Sequence, residues 1–482
     1  MKIVIIGAGI SGCTTYLSLR KYLPKPPAPA LDHEYIIYEA HDTSKDVSAL
    51  NEQSKINEDS TYSATLVVGG GLGVGANGLN VLKRLDESLL KDVTRSGYAY
   101  SHFNMKNKNG RMLMNRMAKG LTPTMNSLGL PRHNLWKCLD ERIPRGIVVN
   151  KRVSHVEVNT KSRNIVHFGD GSSPVDADLV VGADGLKSVV KKAMFLDAKG
   201  DEYTPQYEGL VGIGGFVPSA DLREHIEKGT MNLVFGGSGF FGYFYSESSK
   251  SDPNRDSPYH ISEPGETVAW WSTYEIAECP SDPKRVDMED VIRQLRERHG
   301  NWSDPVVQKV ISKAEVDSMY PTWTSPQLPT WHRDGVVLLG DAAHTLPPTS
   351  GQGSSQALED VESFSLFLAH YLQQTYANRD HDSSPTDDSD PSVAIAADEK
   401  EAIKTAAKRY MDLRRPRVQA ILDQARKFQN LKRKRGVVEE YLMFCMMWII
   451  GTFFSGYMTR VSRALLDYDV ASHVKEELEK NP

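Results

Sequence analysis

The order of apolar and polar residues predicts alternating strands and helices along most of the chain. The β-branched run Ile3-Val4-Ile5-Ile6 is typical of a buried strand. An amphipathic helix is predicted from Cys13 to Tyr22, and a second strand from Glu34 to Tyr38. This alternation predicts an α/β fold whose first strands belong to a parallel sheet.

Between residues 203 and 274 the pattern changes to short alternating segments rich in Gly, Phe, Tyr and Trp. The segments 231–235 and 267–271 are typical of antiparallel strands, because β-branched and aromatic residues alternate in them. We therefore expect an antiparallel sheet built between the segments of the parallel sheet.

The C-terminal part has a different composition. Residues 380–391 (DHDSSPTDDSDP) are acidic and almost free of apolar side chains, so we predict a disordered acidic loop over 373–398. A helical region is predicted over 399–482, and its segment 441–459 carries no charged residue.

Three structures remain open for the apolar segment 441–459: a buried helix packed on the protein, an interfacial membrane anchor, or a membrane span. Its length is borderline, since a span takes about 20 mostly apolar residues. The basic cluster Lys432-Arg433-Lys434-Arg435 precedes it, as expected of a cytoplasmic flank at a membrane. Gly451, Ser455 and Gly456 weaken the case for a span. Membrane surface contact would suit a lipophilic substrate.

Composition excludes several classes of protein. The net charge of −5 gives no basic surface for nucleic acid. The four cysteines are far apart and form no CxxC pair, which argues against a disulfide framework or a zinc site, and we predict no metal. The apolar N-terminal run is too short for a signal peptide, so we expect a cytoplasmic protein.

A glycine-rich turn follows the first predicted strand and opens the first predicted helix. In this turn Gly7 permits a tight bend, Gly9 allows the backbone to approach a pyrophosphate, and Gly12 allows the helix to pack against the strand. The helix N-terminus would then meet the phosphates. Glu39, at the end of the second strand, is placed to bind ribose hydroxyls. The pattern predicts a dinucleotide site but does not separate NAD from FAD.

Two later segments each end an apolar strand with Gly and Asp. They are Leu179-Val180-Val181-Gly182-Ala183-Asp184-Gly185 and Val336-Val337-Leu338-Leu339-Gly340-Asp341. Either segment alone could be a strand followed by a turn. In this order behind the glycine motif they resemble the group A, single-component flavin monooxygenases of the para-hydroxybenzoate and salicylate hydroxylase type, including fungal secondary-metabolite members.

The resemblance implies that FAD is the cofactor and assigns roles to matching residues. Asp184 with Gly185 would lie near the pyrophosphate, and Gly340 with Asp341 would bind the ribityl chain. Arg132 matches an arginine that reaches the cofactor from a helix start, although it could also be a surface arginine. The glycines from Gly69 to Gly78 would form a flavin-proximal loop and helix.

A loop after Asp341 is expected to lie against the flavin ring. Pro348 matches a family proline at the ring edge, and Gly351, Gln352 and Gly353 would place backbone beside it. Because they would lie beside the ring, we assign Pro348, Gly351 and Gly353 as the candidate catalytic positions. The helix that follows them would aim its positive end at the reduced ring. His344 could act as an acid or base, or only pack and hydrogen-bond.

The resemblance also implies the domains. The FAD-binding domain would comprise 1–96, 131–200 and 328–372, with the substrate domain at 97–130 and 201–327. The expected fold class is a Rossmann-like FAD domain interleaved with an antiparallel-sheet substrate domain, plus the helical C-terminal region.

The implied reaction consumes NAD(P)H as a transient co-substrate and O2, and inserts one oxygen atom into a hydrophobic small molecule by way of a flavin hydroperoxide. A dehydrogenase or reductase of the same fold, and a non-catalytic membrane-associated flavoprotein, remain alternatives. Candidate residues of the substrate pocket are aromatic side chains of the antiparallel sheet, half of which should face away from it: Phe235, Phe241, Tyr243 and Trp270.

One position departs from the family pattern. Gly214 occupies the place of an arginine that often lies near the substrate. The departure favours epoxidation of an alkene, or attack on an electron-rich ring, over chemistry that needs a bound phenolate.

Overall fold

The computed structural model describes the chain except residues 29, 43–69, 121–124, 160, 197–201, 280–286, 317–318, 382–390, 430–433 and 481–482. In the described part the β-strands are β1 Lys2–Ile6, β2 Glu34–Glu39, β3 Gly71–Val74, β4 Tyr98–Tyr100, β5 His102–Asn107, β6 Met112–Met117, β7 Ser127–Pro131, β8 Val148–Asn150, β9 Val153–Glu157, β10 Asn164–Phe168, β11 Val175–Ala177, β12 Leu179–Gly182, β13 Gln206–Pro218, β14 Thr230–Gly236, β15 Gly239–Tyr245, β16 Thr267–Glu275, β17 Met319–Thr324, β18 His332–Arg333 and β19 Val336–Leu338.

The α-helices of the same described residues are α1 Ile10–Tyr22, α2 Ala76–Leu85, α3 Glu87–Arg95, α4 Arg132–Asp140, α5 Val189–Met194, α6 Met288–His299, α7 Pro305–Lys313, α8 Gly353–His381, α9 Pro391–Gln429, α10 Val437–Phe453, α11 Ser455–Leu466 and α12 Val470–Lys480.

The first sheet is the parallel sheet predicted from the apolar runs. Its strand order is β18-β19-β12-β1-β2-β8, and β1 lies between β2 and β12, parallel to both. Ile3, Val4 and Ile5 are fully buried, which explains why β1 is apolar without alternation: both of its faces are covered by other parts of the protein. Since β1, β2, β12 and β19 run in the same direction, the three sequence motifs that follow β1, β12 and β19 meet at one edge of the sheet.

The second large sheet has seven strands in the order β17-β13-β16-β15-β14-β5-β6 and is antiparallel except where β14 meets β5. Apolar residues cover both of its faces. One face packs on α6 and α7, and the other packs partly on α10 and α11. Smaller three-stranded sheets, β3-β7-β4 and β11-β10-β9, complete the described strands. The predicted fold class agrees with this architecture, whereas the exact domain boundaries stay a prediction.

The prediction of a disordered acidic loop over 373–398 is wrong at both ends of that range, where the structure has helices. Helix α8 continues to His381 and α9 begins at Pro391, while 382–390 lie outside the described residues. The two helices keep packing beyond residue 372, since Tyr376 and Ile395 are buried and the Tyr376 hydroxyl donates to Glu399 Oε1 at 2.6 Å. Local composition did not reveal this helix–helix contact.

The apolar segment 441–459 forms parts of two helices. Met443, Phe444 and Met447 are buried against the seven-stranded sheet, as in the prediction of a packed helix, while the opposite side of α10 is exposed. Within the described residues, no single helix is long and apolar enough to span a membrane. Helices α10 and α11 meet that criterion only as a pair, and the pair is bent by 85°.

Candidate cofactor and substrate site

The glycine turn after β1 has the geometry that the motif predicts. Gly7 has a φ of +101°, in the region that favours glycine. A methyl group at Gly12 would lie 1.8 Å from the Gly7 carbonyl oxygen, so only glycine lets α1 pack this close. Around Gly9, by contrast, no atom lies within 4 Å of an added methyl group. The turn therefore leaves open the space in which a pyrophosphate would approach the backbone.

Glu39 lies buried at the end of β2 and holds the glycine turn. Its Oε2 accepts a hydrogen bond from the Ala8 N–H at 2.7 Å, and its Oε1 accepts one from the His41 N–H at 3.0 Å. Trp136 supports the same turn, since its indole N–H donates to the Ala8 carbonyl at 2.8 Å. Trp136 carries no sequence motif and was missed. The ribose contact of Glu39 stays a prediction.

Asp184 follows β12 by two residues and lies at the N-terminus of α5. Its Oδ2 accepts hydrogen bonds from the N–H groups of Val189 at 2.7 Å and Val190 at 3.3 Å. Its Oδ1 is buried and has no hydrogen-bond partner among the described residues. Burial raises the pKa of Asp184 above its ordinary value. The following Gly185 has a φ of +72° and open space on its Cβ side, so this segment leaves an unpaired acceptor beside an open turn.

The third segment lies directly on the first. Gly340 has a φ of +58°, and a methyl group there would lie 2.5 Å from Ser11 Oγ in the first turn of α1. Burial raises the pKa of Asp341, and the nearby Arg132 and His344 oppose that rise. Arg132 therefore lies near enough to Asp341 to lower its pKa, whereas its contact with the cofactor stays a prediction.

The loop predicted to lie against the flavin ring is open on one side and packed on the other. Pro348 and Gly351 are exposed, Gly351 has a φ of +59°, and no atom lies within 4 Å of a methyl group at Gly351 or Gly353. Helix α8 begins at Gly353, so the positive end of its dipole lies at this opening. On the packed side, Ser354 Oγ donates to the Gly73 carbonyl at 2.9 Å.

The glycine-rich segment before α2 also contacts the start of α8. The Gly75 N–H donates to Ser355 Oγ at 3.0 Å, and Asn77 donates to Gln352 Oε1 at 3.0 Å. Gly69 lies outside the described residues. The described glycines thus form β3 and the start of α2, where the resemblance implied a loop and a helix, and Gln352 is buried between the two segments. Their position beside the flavin stays a prediction.

Beneath this loop lies a buried group of charges that the sequence did not reveal. Arg414, fully buried in α9, pairs with Glu359 and, at 2.9 Å, with Asp360. Burial alone would raise the pKa of both carboxyl groups, but the arginine and its neighbours hold both below their ordinary values. His344 Nε2 lies 2.6 Å from Asp360 Oδ2, which favours the hydrogen-bonding role considered for His344.

Three of the four predicted pocket residues lie on the wrong side of the seven-stranded sheet. Phe241, Tyr243 and Trp270 pack in the core formed with α6 and α7, and the rings of Phe241 and Trp270 stack at 5.6 Å. Successive side chains of a strand point to opposite faces, so an error of one residue places a side chain on the opposite face of the sheet. Phe235 lies on the other face, where it packs with Phe240 and α10.

The opposite face of the seven-stranded sheet contacts β3 and β7. It carries the residues that come next to the predicted ones in the sequence. Methyl groups at Gly71 and Gly129 would lie 2.8 and 2.5 Å from the ring of Phe244, which places the sheet of β3 and β7 against this face. Trp271 lies over Gly242 and pairs in register with Gly214. We call this surface the apolar face; its incompletely buried members are Phe103, Phe216, Leu233 and Trp271.

The prediction of no metal rested on the cysteines and on the lack of a ligand cluster in the sequence. Among the described residues, His155, Glu157 and His167 bring ligand-type atoms within 4.8 Å of one another on β9 and β10. His167 Nε2 already lies 2.8 Å from Glu157 Oε1. This trio belongs to a different sheet from the cofactor segments.

Comparisons with known proteins agree with this site. Residues 96–391, more than half of the chain, match the family model described as FAD binding domain. Similar relatives include 3-amino-4-hydroxybenzoate 2-monooxygenase of Streptomyces cremeus, 29% identical over 48% of this chain and 50% of the relative. Salicylate hydroxylase of Pseudomonas putida is 26% identical over 54% and 57%. FAD-dependent monooxygenase prhF of Penicillium brasilianum is 25% identical over 62% and 60%. The chain thus spans about half to three fifths of the length of these relatives.

Solved structures share the fold along nearly the whole chain. A salicylate hydroxylase substrate complex has a TM-score of 0.67 at 18% identity, covering 98% of this chain and 97% of that protein. HpxO of Klebsiella pneumoniae, complexed with FAD and uric acid, has a TM-score of 0.62 at 18% identity, covering 99% and 95%. At this identity the likeness establishes the fold, and it confirms the predicted fold class.

The residues present fit FAD. Open space adjoins Gly9, Gly351 and Gly353, and the buried Asp184 Oδ1 has no partner among the described residues. The three segments that predicted the cofactor converge at one edge of the parallel sheet. The chain belongs to the FAD binding domain family, and the cofactor predicted from its sequence is confirmed as FAD.

Proposed function

We propose that this protein is an FAD-dependent monooxygenase that uses NAD(P)H and O2 to hydroxylate or epoxidise a largely apolar small molecule, such as a secondary metabolite. The observation that carries the proposal is the contact of the apolar face, at Phe244, with Gly71 of β3 and Gly129 of β7. In the same strand β3, Gly73 adjoins the loop at Gly351. The three relatives described above are named as monooxygenases or hydroxylases, which supports it.

The protein's part in this reaction is to bind and orient. FAD supplies the redox chemistry when bound. The turn at Gly7 and the N-terminus of α1 would hold its phosphates, and the N-terminus of α8 at Gly353 would stabilise negative charge on the reduced ring. The buried Phe244 excludes water from the contact with β3 and β7, and the incompletely buried side chains of Phe103 and Trp271 offer a surface for an aromatic or polycyclic substrate.

The test is oxygen-dependent turnover by the FAD-loaded protein. We expect NAD(P)H oxidation that is stimulated by a substrate and stops without O2, with a product one oxygen atom heavier by mass spectrometry. The probe panel includes salicylate and 3-amino-4-hydroxybenzoate, after the names of relatives, and apolar polycyclic metabolites. Product formation without O2 would favour the dehydrogenase alternative. A protein that binds FAD but never oxidises NAD(P)H would contradict the proposal.

A matched pair of glycine variants controls this assay. Gly351→Ala and Gly171→Ala place alanine at similar φ angles, +59° and +72°, and neither added methyl group meets an atom within 4 Å. Both should carry a similar backbone strain of about 1 to 2 kcal/mol. Only Gly351→Ala is expected to lose turnover, because only Gly351 faces the flavin ring in this proposal. Equal losses in both variants would mean that strain alone explains the effect.

We also propose that the exposed side of α10 and α11 contacts the surface of an anionic membrane, on the cytoplasmic side as the sequence predicts. Ten large apolar side chains lie exposed there: Val437, Val438, Tyr441, Leu442, Met446, Trp448, Ile449, Phe453, Phe454 and Tyr457. Exposed patches of this size commonly mark protein or membrane contacts. The exposed cations Lys434 and Arg460 favour anionic lipid over a second apolar protein surface.

Vesicle flotation tests this contact. The protein should float with vesicles that contain phosphatidylserine, and less with phosphatidylcholine alone. A Trp448→Ser, Phe453→Ser variant should lose flotation, whereas Leu31→Ser, at a remote residue that is 87% exposed, should retain it. Self-association in size-exclusion chromatography that the double variant abolishes, without flotation of the original protein, would instead assign the surface to a second copy.

A further inference from the structure

One cation lies on the apolar face of the seven-stranded sheet. Arg116 of β6 stands opposite Phe103 of β5 in the antiparallel register, and residues opposite one another share a face. Phe103 in turn pairs with Met231 of β14, which packs with Phe244. Arg116 therefore lies in the same row of side chains as Phe244, at the edge of the sheet formed by β6.

Contacts link Arg116 to the cofactor loops. The rings of Phe103 and Tyr100 lie 5.4 Å apart, and the Tyr100 hydroxyl would be 3.4 Å from a methyl group at Gly73. Gly73 in turn lies beside Gly351, whose carbonyl oxygen would be 3.9 Å from the same methyl group. Arg116 is thus separated from the flavin-side loop by two aromatic side chains.

Helix α11 covers Arg116 from the other side. The Arg116 Nε–H donates a hydrogen bond to Ser462 Oγ at 2.8 Å, and Ser462 is 1% exposed. One turn further along α11, Leu466 would lie 2.9 Å from a methyl group at Gly75. The C-terminal helices therefore form one side of the space between the apolar face and the cofactor loops.

Arg116 has no anionic partner within the described residues, since none of their carboxylates lies within 4.0 Å of its guanidinium nitrogens. By contrast, the fully buried Arg414 pairs with Glu359 and Asp360, and the half-buried Arg84 pairs with Glu362. Burial lowers the pKa of Arg116, and no neighbouring carboxylate offsets it. Arg116 is half-buried, and Ser462 Oγ accepts from its Nε–H, so an anionic ligand would compensate a charge that the described residues leave without a counter-ion.

We propose that Arg116 binds a carboxylate or phenolate group of the substrate, with Ser462 as the residue that positions its guanidinium. The inference rests on the proposed function, because it places the substrate on the apolar face. It also revises the expectation, drawn from Gly214, that no cation binds an anionic substrate. The chain lacks the family's arginine on β13 but carries Arg116 on β6, at the opposite edge of the same sheet.

This placement defines the substrate's shape. Leu233 of β14 lies two strands from β6, which is about 10 Å at ordinary strand spacing. A substrate with its anionic group at Arg116 and its apolar body over Phe103 and Leu233 would be ring-containing and elongated. The structure therefore favours an apolar molecule with one acidic end over a neutral hydrocarbon.

The test compares acids with their neutral amides as ligands of the FAD-loaded, full-length protein. The pairs are salicylate and salicylamide, 2-naphthoate and 2-naphthamide, and biphenyl-4-carboxylate and biphenyl-4-carboxamide. Binding is measured from the perturbation of the flavin absorbance spectrum and by calorimetry. We expect at least one acid to bind about 10-fold or more tightly than its amide, as expected of charge-assisted hydrogen bonds.

Variants assign that preference to residues. Arg116→Met keeps an unbranched chain like the arginine stem but removes the guanidinium, and it should bring the acid's affinity down to that of the amide without changing the amide's own affinity. The control Arg111→Met, at an exposed arginine next to the same strand, should keep the preference. Ser462→Ala should reduce the preference and Ser462→Thr, which keeps a hydroxyl, should restore most of it.

Two results would overturn the inference: no acid binds more tightly than its amide, or Arg116→Met keeps the full preference. A folding defect is recognised separately, because circular dichroism and FAD affinity report on the fold of each variant. Failure of the proposed function is also distinguishable. A protein that binds acids through Arg116 but never consumes NAD(P)H and O2 would leave the anion site intact and contradict only the monooxygenase.

Discussion

Gly9 and Gly12 lie three residues apart in the same turn, yet alanine should affect them in different ways. Gly9 has a φ of −73° and ψ of −172°, which alanine adopts readily, and its added methyl group would meet no atom within 4 Å. Gly9→Ala should therefore leave the unfolding free energy of the FAD-free protein unchanged. The methyl group would occupy the space of the pyrophosphate, so FAD should bind about 10- to 100-fold more weakly through loss of one charge-assisted hydrogen bond.

At Gly12 the methyl group would lie 1.8 Å from the Gly7 carbonyl oxygen. Helix α1 or the turn would have to move by about 1.2 Å to reach the 3.0 Å that real contacts respect, and overpacking of this kind costs about 1 to 3 kcal/mol. Gly12→Ala should therefore destabilise the FAD-free protein as well as weaken FAD binding.

The assays are urea unfolding of the FAD-free protein and titration of FAD followed by flavin fluorescence. The two variants should differ in the first assay and resemble each other in the second. A Gly9→Ala protein that binds FAD as tightly as the original would refute the placement of the pyrophosphate. One that unfolds as easily as Gly12→Ala would refute the claim that the space at Gly9 is open.

Three further predictions follow from buried side chains. Trp270→Ala should cost about 3 to 5 kcal/mol of stability, because Trp270 is in the core, whereas Trp271→Ala should cost less stability and weaken ligand binding more. Unfolding curves and ligand titrations compare the two variants, and the reverse order would contradict the assignment of faces. Arg414→Met should cost about 3 kcal/mol, because it removes the guanidinium shared by the buried Glu359 and Asp360 and leaves Glu359 with Arg417 alone and Asp360 with His344. A melting temperature unchanged within about 2 °C would contradict this. Burial lowers the pKa of His299 to about 3, so the stability that depends on its neutral form is present above about pH 6.5 and is lost as the pH falls. Between about pH 7 and pH 5 the unfolding free energy of His299→Gln should therefore fall by about 2 kcal/mol less than that of the original protein. Equal losses in both proteins would contradict this prediction.

The sequence predicted the cofactor segments because their chemistry is local. A tight turn, a close helix approach and a strand-end aspartate each need particular residue types at fixed spacing, as at Gly7, Gly12 and Asp184. The structure brings these residues to one edge of the parallel sheet. Their individual contacts with FAD stay predictions.

The face of the antiparallel sheet was not predictable in the same way. Both faces are covered by apolar residues, so hydropathy does not alternate between Trp270 and Trp271 or between Phe240 and Phe241. Only the packing of α6 and α7 on one side and of the cofactor loops on the other side distinguishes them. A one-residue error was therefore enough to turn three predicted pocket residues into core residues.

Long-range contacts explain the other differences. The α8–α9 hairpin extends past residue 372 because its helices pack on each other, which local acidity did not indicate. Arg116 belongs to no motif. Its one sequence signal is a charged residue in the apolar strand Met112–Met117, and the partner that marks its position, Ser462, is 346 residues away.

The central claim is that this protein, when loaded with FAD, would oxygenate a substrate bound on the apolar face. The most direct measurement is turnover under 18O2 of the FAD-loaded protein with NADPH or NADH and the probe panel, with mass analysis of the product. The account predicts one 18O atom per product molecule, and none when the label is in water instead. A product that carries no oxygen from O2, or that forms equally well without it, would contradict the account.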